Sequence, residues 1–268
     1  GAASWESRSL PRSSLPFLVY TAHGPVSPGR VLYGVVDRLV SLRKLFFGVF
    51  GMNSLVDRSR YMDQPLTVSS LCGQFAAIGV EPGMTLIVHS SLSSFGYVSG
   101  GAPAVILALE SVLGPEGTLA VPTHTADLTD PAKWSDPPVP EAWHQTIRDA
   151  MPYFHPDLTP TRGMGIIPES FRKQNGTLRS NHPFVSWAAR GPNAAFVTAD
   201  HSLSMSSGEQ SPVARLYDVG AYVLLTGVGY DCNTSFHLAE YRNGFAARKR
   251  CRRGAPMPVE GGGSQWVT

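Results

Sequence analysis

The sequence has few cysteines, and none lie at the spacing of a metal or redox site. Cys72, Cys232 and Cys251 are the only three among 268 residues, and no Cys-x-x-Cys pair occurs. This usage argues against a disulfide framework and indicates a reducing compartment, so we expect a cytoplasmic protein. The eight histidines also show no metal-ligand spacing, and we therefore expect no metal.

Long hydrophobic runs are absent as well. A membrane span needs about twenty consecutive apolar residues, and the nearest candidate, residues 31–52, is interrupted by Asp37, Arg38, Arg43 and Lys44. We therefore expect no membrane partner. A basic amphipathic or presequence-like element remains open for this segment.

Neither sign of charge dominates the whole chain, but the balance changes along it. Residues 52–241 contain ten Lys or Arg and seventeen Asp or Glu, a balance of −7. Residues 1–51 are basic, with six basic and two acidic side chains, and the tail after Tyr241 has six and one. The acidic balance of residues 52–241 argues against a nucleic-acid groove and suits a cationic ligand.

Both ends of the sequence look arbitrary. Residues 1–30 are rich in Ser, Pro and Gly, and Met52 begins a stretch that reads like a natural start. We therefore expect residues 1–51 to be an N-terminal extension, disordered or upstream of the true start. Residues 259–268 read as a hairpin turn entering a strand that then stops, so we expect the domain at 52–268 to be truncated at its C-terminus.

Helical and strand patterns alternate in the first half of this domain, which favours an α/β layered fold with helices packed on a central sheet. The size and 43% hydrophobic content allow such a core. The segment 123–162 reads as a long polar loop with one short helix near 143–150, and loops of this length are usually functional. The alternating segments are helices at 67–78 and 102–113 and strands at 84–88 and 118–122.

An imidazole beside carboxylates and hydroxyls follows the apolar strand pattern at 221–229. Asn233 or Thr234 could cap a helix there, with His237 in its first turns and Glu240 on the same face. This is the composition of a general-base site, because imidazole is the commonest proton acceptor near neutral pH. A structural His-Glu pair is an equally good interpretation of these residues alone.

The turn after the strand at 84–88 carries small hydroxyl side chains and leads through Gly100 and Gly101 into a helix. Such a turn suits a phosphate or pyrophosphate, although a Ser-rich capping turn fits equally well. It is neither a Walker loop nor a Gly-x-Gly-x-x-Gly loop. Ser90 as a hydrolase nucleophile is disfavoured, since Gly-x-Ser-x-Gly is absent.

Two further loops carry side chains that could contact a ligand. Arg162 lies in a Pro/Gly loop, where its guanidinium could clamp a phosphate or pair with Asp157 or Glu169. His182 precedes Pro183 and is a second candidate loop histidine.

Five motifs occupy residues 88–96, 159–165, 179–183, 204–212 and 227–240. Taken together and in this order, they resemble the aminoglycoside 3-N-acetyltransferase family over residues 65–268. The resemblance implies acetyl transfer from acetyl-CoA to the 3-amino group of a 2-deoxystreptamine antibiotic, and hence antibiotic resistance. It also implies the antibiotic N-acetyltransferase type of α/β fold, which is distinct from the GNAT acetyltransferases.

The resemblance also implies roles for individual side chains. His237 would be the general base of a direct transfer, and Glu240 would orient its imidazole or contact the antibiotic. The coenzyme side would be formed by His89, Ser90, Ser91, Leu92, Ser93, Phe95, Thr161, Arg162 and Met164. The antibiotic side would be formed by the polar loop from Thr123 and by Asp127, Glu209 and Asp231.

In this family the chain continues past the equivalent of Trp266 with an acidic segment near the catalytic histidine, and here nothing follows Thr268. We therefore expect weak or no activity from this fragment. One alternative is a CoA-dependent N-acetyltransferase, or a CoA-binding protein, with an acceptor other than an aminoglycoside. Another is a Ser or Cys amidohydrolase that uses Ser90 or Cys232.

Overall fold

Helices and strands alternate along the part of the chain that the structure describes. This computed structural model describes residues 17–21, 32–33, 64–125, 127–135, 137–243 and 253–268, the first two ranges by backbone only. The strands are β1 (Phe17–Thr21), β2 (Leu32–Tyr33), β3 (Thr85–Ser90), β4 (Thr118–Pro122), β5 (Leu178–Arg179), β6 (Trp187–Arg190), β7 (Tyr222–Thr226), β8 (Ala255–Pro258) and β9 (Ser264–Val267). The helices are α1 (Val68–Ala77), α2 (Gly101–Leu113), α3 (His144–Ala150), α4 (Ile166–Arg172), α5 (Ala194–Thr198), α6 (Pro212–Asp218) and α7 (Phe236–Arg242). The predicted α/β fold with a central sheet is confirmed.

The first of two units comprises residues 1–119 and 220–233. Its strands lie in the order β2-β1-β7-β3-β4, where β1 is antiparallel to both neighbours and β3 is parallel to β7. Residues 85–89 of β3 are buried without interruption, as expected for a strand covered on both faces. Of the predicted N-terminal extension the structure describes β1 and β2, and the expectation for the rest of residues 1–51 lies outside the described residues.

Helix α1 begins where the sequence predicts it. The Oγ1 atom of Thr67 accepts a hydrogen bond from the Ser70 N–H at 3.2 Å, and Ser70 Oγ accepts one from the Thr67 N–H at 2.8 Å. This reciprocal capping satisfies two N–H groups that a helix start otherwise leaves unpaired. Leu71 and Phe75 are fully buried, and α1 packs against α2.

The second unit comprises residues 120–219 and 234–268. In this unit β6 is antiparallel to β5. Helices α4 and α5 pack against β6. The predicted hairpin near the end of the chain is confirmed, since β8 and β9 pair antiparallel across the turn at 259–263.

The long polar segment 123–162 has an apolar cluster of its own within the second unit. Ser264 Oγ donates a hydrogen bond to the carbonyl oxygen of Met151 at 2.9 Å and ties the C-terminal hairpin to this cluster. Besides α3, the segment contains two short 3₁₀ turns, Pro131–Lys133 and Glu141–Trp143. The cluster consists of Leu128, Met151 and Phe154 with Trp134, Ile147 and Trp266 packed against them.

Candidate active site

In the first unit, the turn after β3 is held against the end of β7. Ser90 lies opposite Thr226 in the parallel register, and the Ser91 N–H donates to the Thr226 carbonyl oxygen at 3.1 Å. Ser94 Oγ donates to the Gly227 carbonyl oxygen at 2.9 Å. Gly227 has φ 71°, and a Cβ there would lie 2.5 Å from the Cβ of Ser94, so a side chain at this position would push the turn away.

Polar groups collect at this carboxyl edge of β3 and β7, where open α/β sheets usually bind ligands. The hydroxyls of Ser90 and Thr226 are buried without a hydrogen-bond partner. The Oγ atoms of Ser91 and Ser93 lie 2.9 Å apart. Burial lowers the pKa of His89 to about 4, so this imidazole is neutral at pH 7.

The other predicted residues of the first unit differ in accessibility. Leu92 is half-buried in the short 3₁₀ turn, whereas Phe95 is buried in the core. Asp231 is exposed and lies in the 3₁₀ turn Tyr230–Cys232 that follows β7.

In the second unit, Arg162 is joined to the start of the polar segment. Its Nη1 atom lies 2.6 Å from Oδ1 of Asp127, and its backbone N–H donates to the His124 carbonyl oxygen at 2.9 Å. The ion pair is half exposed on both sides, with side-chain exposures of 54% and 49%. The structure thus brings a predicted coenzyme residue and a predicted antibiotic residue into contact.

The structure pairs Arg162 with Asp127 and not with Asp157 or Glu169, the pairing that the sequence left open as an alternative to a phosphate. The Glu169 carboxylate is occupied by Thr161, whose N–H and hydroxyl donate to Oε2 at 2.9 and 3.0 Å, and by Arg172 and Lys173. Burial raises the pKa of Glu169, but these hydrogen bonds outweigh it and hold the pKa far below its usual range. Both Glu169 carboxylate oxygens already accept hydrogen bonds, so Glu169 does not require Arg162 as a partner. Met164 is half-buried beside the same loop.

Helix α7 places His237 and Glu240 on one face, as the sequence predicts. Nδ1 of His237 lies 2.8 Å from Oε2 of Glu240, and the two side chains are 53% and 44% exposed. The predicted cap is wrong, because Ser235, and neither Asn233 nor Thr234, is the N-cap residue, and it makes no side-chain capping bond. Asn233 does not occupy that position, since it closes the preceding 3₁₀ turn.

Glu209 is held against the same helix. Arg242 donates from Nε and Nη2 to the two carboxylate oxygens at 2.8 and 3.0 Å, which lowers the pKa of Glu209. The Arg242 guanidinium also lies 4.4 Å above the ring of Tyr217. A Cβ on Gly208 would lie 3.0 Å from the ring of Tyr241, so glycine permits this close approach.

Two further histidines form a buried pair that sequence reasoning did not anticipate. The rings of His182 and His201 are 4.5 Å apart. Nδ1 of His182 accepts from two backbone N–H groups at 3.0 and 3.2 Å, while His201 bonds Ser180 Oγ and the Ser206 carbonyl oxygen. Burial is the main cause that lowers the pKa of His182 to about 3 and of His201 to about 4.

Within the described residues, no group of three or more His, Cys, Asp or Glu side chains has the arrangement of a metal site. None of the helices in the described ranges has the length and hydropathy needed to cross a membrane.

Comparison with known proteins identifies the family. The sequence profile described as aminoglycoside 3-N-acetyltransferase matches residues 87–268. The SPbeta prophage-derived aminoglycoside N(3')-acetyltransferase-like protein YokD of Bacillus subtilis is 46% identical over 211 residues, 78% of this chain and 76% of that protein. The chain belongs to this family. The aminoglycoside N(3)-acetyltransferase VIII of Streptomyces fradiae is 37% identical over 200 residues, 74% of this chain and 68% of that protein.

Solved structures of aminoglycoside acetyltransferases match the fold. The YokD crystal structure superposes with a TM-score of 0.70 at 45% identity, covering 76% of this chain and 80% of that one. AAC-IIIb in a binary complex with CoASH gives 0.65 at 31% identity, covering 76% and 75%. AAC-VIa bound to sisomicin gives 0.63 at 29% identity, covering 76% and 75%. The resemblance inferred from the motifs is confirmed, and the protein is an acyltransferase of the antibiotic N-acetyltransferase type.

Within this acetyltransferase, the predicted site residues fall into three local groups. One is the turn 89–95 at the edge of β3 and β7, the second is Arg162 with Asp127, and the third is α7 with Glu209. The roles of these residues stay predictions. The sequence did not predict the buried hydroxyl of Thr226 or the bonds of Arg179 to distant carbonyl oxygens. No local sequence pattern marks a hydroxyl at a strand end or an arginine with distant partners.

Proposed function

We propose that this protein transfers an acetyl group from acetyl-CoA to the 3-amino group of a 2-deoxystreptamine aminoglycoside. The family membership supports this reaction, and so do the relatives named aminoglycoside N(3)-acetyltransferases. The solved relatives with bound CoASH and with bound sisomicin support both substrates. The balance of −7 over residues 52–241 suits a polycationic acceptor.

His237 is the general base of the proposed reaction, and its contact with Glu240 carries the assignment. An ammonium group cannot attack a thioester, so the 3-amino group must lose a proton first. With Nδ1 donating to Glu240 at 2.8 Å, Nε2 keeps its lone pair for that proton. The half-exposed side chain leaves the base reachable by a solvated amine.

His182 suits this task less well. It is buried, with 2% of the residue exposed, and its Nδ1 lone pair already accepts two backbone N–H groups. Its lowered pKa, about 3, makes it a poor acceptor at neutral pH. We therefore propose a structural role for His182, which a substitution can test.

Transfer is direct in this proposal, because a thioester is already activated and needs no enzyme nucleophile. The residues proposed to contact the coenzyme are His89, Leu92 and the serines of the turn in the first unit and Thr161, Arg162 and Met164 in the second. Asp127, Glu209 and Asp231 attract the ammonium groups of the antibiotic. Backbone amides and hydroxyls near these turns would stabilise the oxyanion that forms on the thioester carbon.

The test is acetyl-CoA-dependent release of free thiol with sisomicin or gentamicin as acceptor, followed by NMR of the product. We expect one acetyl group, on the 3-amino nitrogen. A product acetylated at another nitrogen would overturn the assigned regiochemistry. Thiol release with simple amines but not with aminoglycosides would support the alternative of a CoA-dependent N-acetyltransferase with a different acceptor.

A further inference from the structure

Arg179 is a partly buried arginine whose guanidinium bonds to three separate segments of the second unit. Nη2 donates to the Thr123 carbonyl oxygen at 2.8 Å, and Nη1 donates to the carbonyl oxygens of Pro156 and Thr159 at 2.9 and 2.5 Å. Nε lies 3.1 Å from Ser186 Oγ and 3.2 Å from Thr123 Oγ1. The guanidinium also lies 4.8 Å above the ring of Phe154.

The three carbonyl oxygens that accept bonds from Arg179 lie at the bases of two loops. Thr123 is the first residue after β4, and four residues later the chain reaches Asp127. Thr159 precedes Thr161 and Arg162 by only two and three residues. One side chain therefore ties the start of the loop that carries Asp127 to the start of the loop that carries Arg162.

The tips of the two loops meet through the contacts of Arg162 with Asp127 and with the His124 carbonyl oxygen. A second support holds the later loop, since Arg172 donates to the Asp157 carbonyl oxygen at 2.8 Å. The tip contact is half exposed and therefore weak on its own. The geometry of the tips then depends on the buried contacts at their bases.

We propose that Arg179 is a positioning residue that fixes the loop bearing Arg162 relative to the loop bearing Asp127. The proposal rests on the function proposed above, in which Arg162 contacts acetyl-CoA and Asp127 contacts the aminoglycoside. Arg179 itself touches neither substrate. It sets the distance between the groups that hold them.

Arginine is required because the bonds leave the guanidinium in three directions. Its planar fork has five N–H groups, whereas a lysine ammonium is a single point with three. These five acceptors are carbonyl and hydroxyl oxygens, so the guanidinium contributes the directions of its N–H groups. A lysine could keep one or two of these bonds but not all three segments together.

The experiment compares Arg179→Lys and Arg179→Gln with the matched control Arg215→Lys, an arginine on α6 that donates to the Asp200 carbonyl oxygen. Hydrogen–deuterium exchange is measured over residues 155–163 and 123–128. Steady-state kinetics give KM for acetyl-CoA, KM for sisomicin and kcat. All rates are normalised to the folded fraction.

We expect faster exchange in both segments for both Arg179 variants, and a fall in kcat/KM of about tenfold to a hundredfold, with both KM values raised. Arg179→Lys should recover part of the loss relative to Arg179→Gln. The control Arg215→Lys should keep the exchange rates and KM values of the unsubstituted protein. Unchanged exchange in both loops, or lower thermal stability with unchanged KM values, would overturn the proposal.

Failure of the proposed function is distinguishable from failure of this inference. If the protein acetylates no aminoglycoside, the proposed function is wrong. Hydrogen–deuterium exchange in the Arg179 variants still shows whether Arg179 fixes the two loops. Calorimetric titration with coenzyme A then replaces KM as the readout for the Arg162 loop. Unchanged coenzyme affinity together with unchanged exchange would contradict the role of Arg179.

Discussion

Nδ1 of His237 and Oε2 of Glu240 lie 2.8 Å apart on the first turns of α7. The spacing of three residues places both side chains on one helix face, so the pair forms through local geometry alone. In the proposed reaction the carboxylate accepts a hydrogen bond from Nδ1–H, which leaves the Nε2 lone pair free to take a proton. This relationship is the basis of the proposed proton transfer.

Replacing Glu240 by Gln should slow acetyl transfer without abolishing it. An amide still bonds to Nδ1, but it no longer stabilises the imidazolium that forms when the base takes a proton. We expect kcat to fall about tenfold, with both KM values nearly unchanged. Steady-state kinetics with sisomicin check this, and an unchanged kcat would remove Glu240 from the mechanism.

Arg162→Ala and Asp127→Asn should each raise a different KM value. Loss of Arg162 should raise KM for acetyl-CoA, because a phosphate loses a cationic partner. Loss of the Asp127 charge should raise KM for the aminoglycoside. Their ion pair is half exposed and contributes about 0.2–1 kcal/mol, so thermal stability should change little in either variant. Equal effects of both variants on both KM values would contradict these assignments.

Thr226→Val should leave the protein as stable or make it more stable. The Thr226 hydroxyl is buried without a partner, and such a group costs about 1–3 kcal/mol of folding free energy. Valine has nearly the same shape and removes that cost. The matched control is Thr123→Val, because the buried Thr123 hydroxyl bonds Ser186 and Arg179. Urea unfolding should give a lower midpoint for the control and an equal or higher one for Thr226→Val.

Folding stability should fall as pH drops below about 6.5. His89, His182 and His201 are buried and neutral, with pKa values lowered to about 4, 3 and 4, whereas the unfolded chain takes up protons near 6.5. Their stability contribution is therefore complete above pH 6.5 and is lost progressively as pH falls towards 3–4. Urea unfolding between pH 7.5 and 5 measures this loss. His201→Asn should reduce the slope, and an unreduced slope would exclude His201 as a contributor.

Local patterns predicted the parts of the fold that depend on neighbours in sequence. Helix α1, strand β4 and the C-terminal hairpin follow from the spacing of apolar residues and from turn composition. The His237–Glu240 contact belongs to the same class, since a helix brings residues three apart together. Before the structure, the expectation of a catalytic rather than a structural role came from the motif resemblance, because the spacing of three residues suits both.

Contacts between distant segments could not be predicted in the same way. Arg162 pairs with Asp127, 35 residues away, because Glu169 is already satisfied by its own helix and loop. The bonds of Arg179 reach back 56 residues to Thr123. Each depends on how the chain returns to the same place, which spacing along the sequence does not encode.

Replacing His237 tests the proposed general base most directly. The rate of acetyl transfer to sisomicin is measured for His237→Gln, His182→Gln and the unsubstituted protein, at saturating acetyl-CoA and equal folded fraction. Loss of a general base should lower kcat of His237→Gln by about 10²- to 10⁴-fold with little change in either KM. His182→Gln should lower stability but keep kcat within a few-fold. A normal kcat for His237→Gln with a collapsed kcat for His182→Gln would contradict the account and assign the proton transfer to the buried histidine.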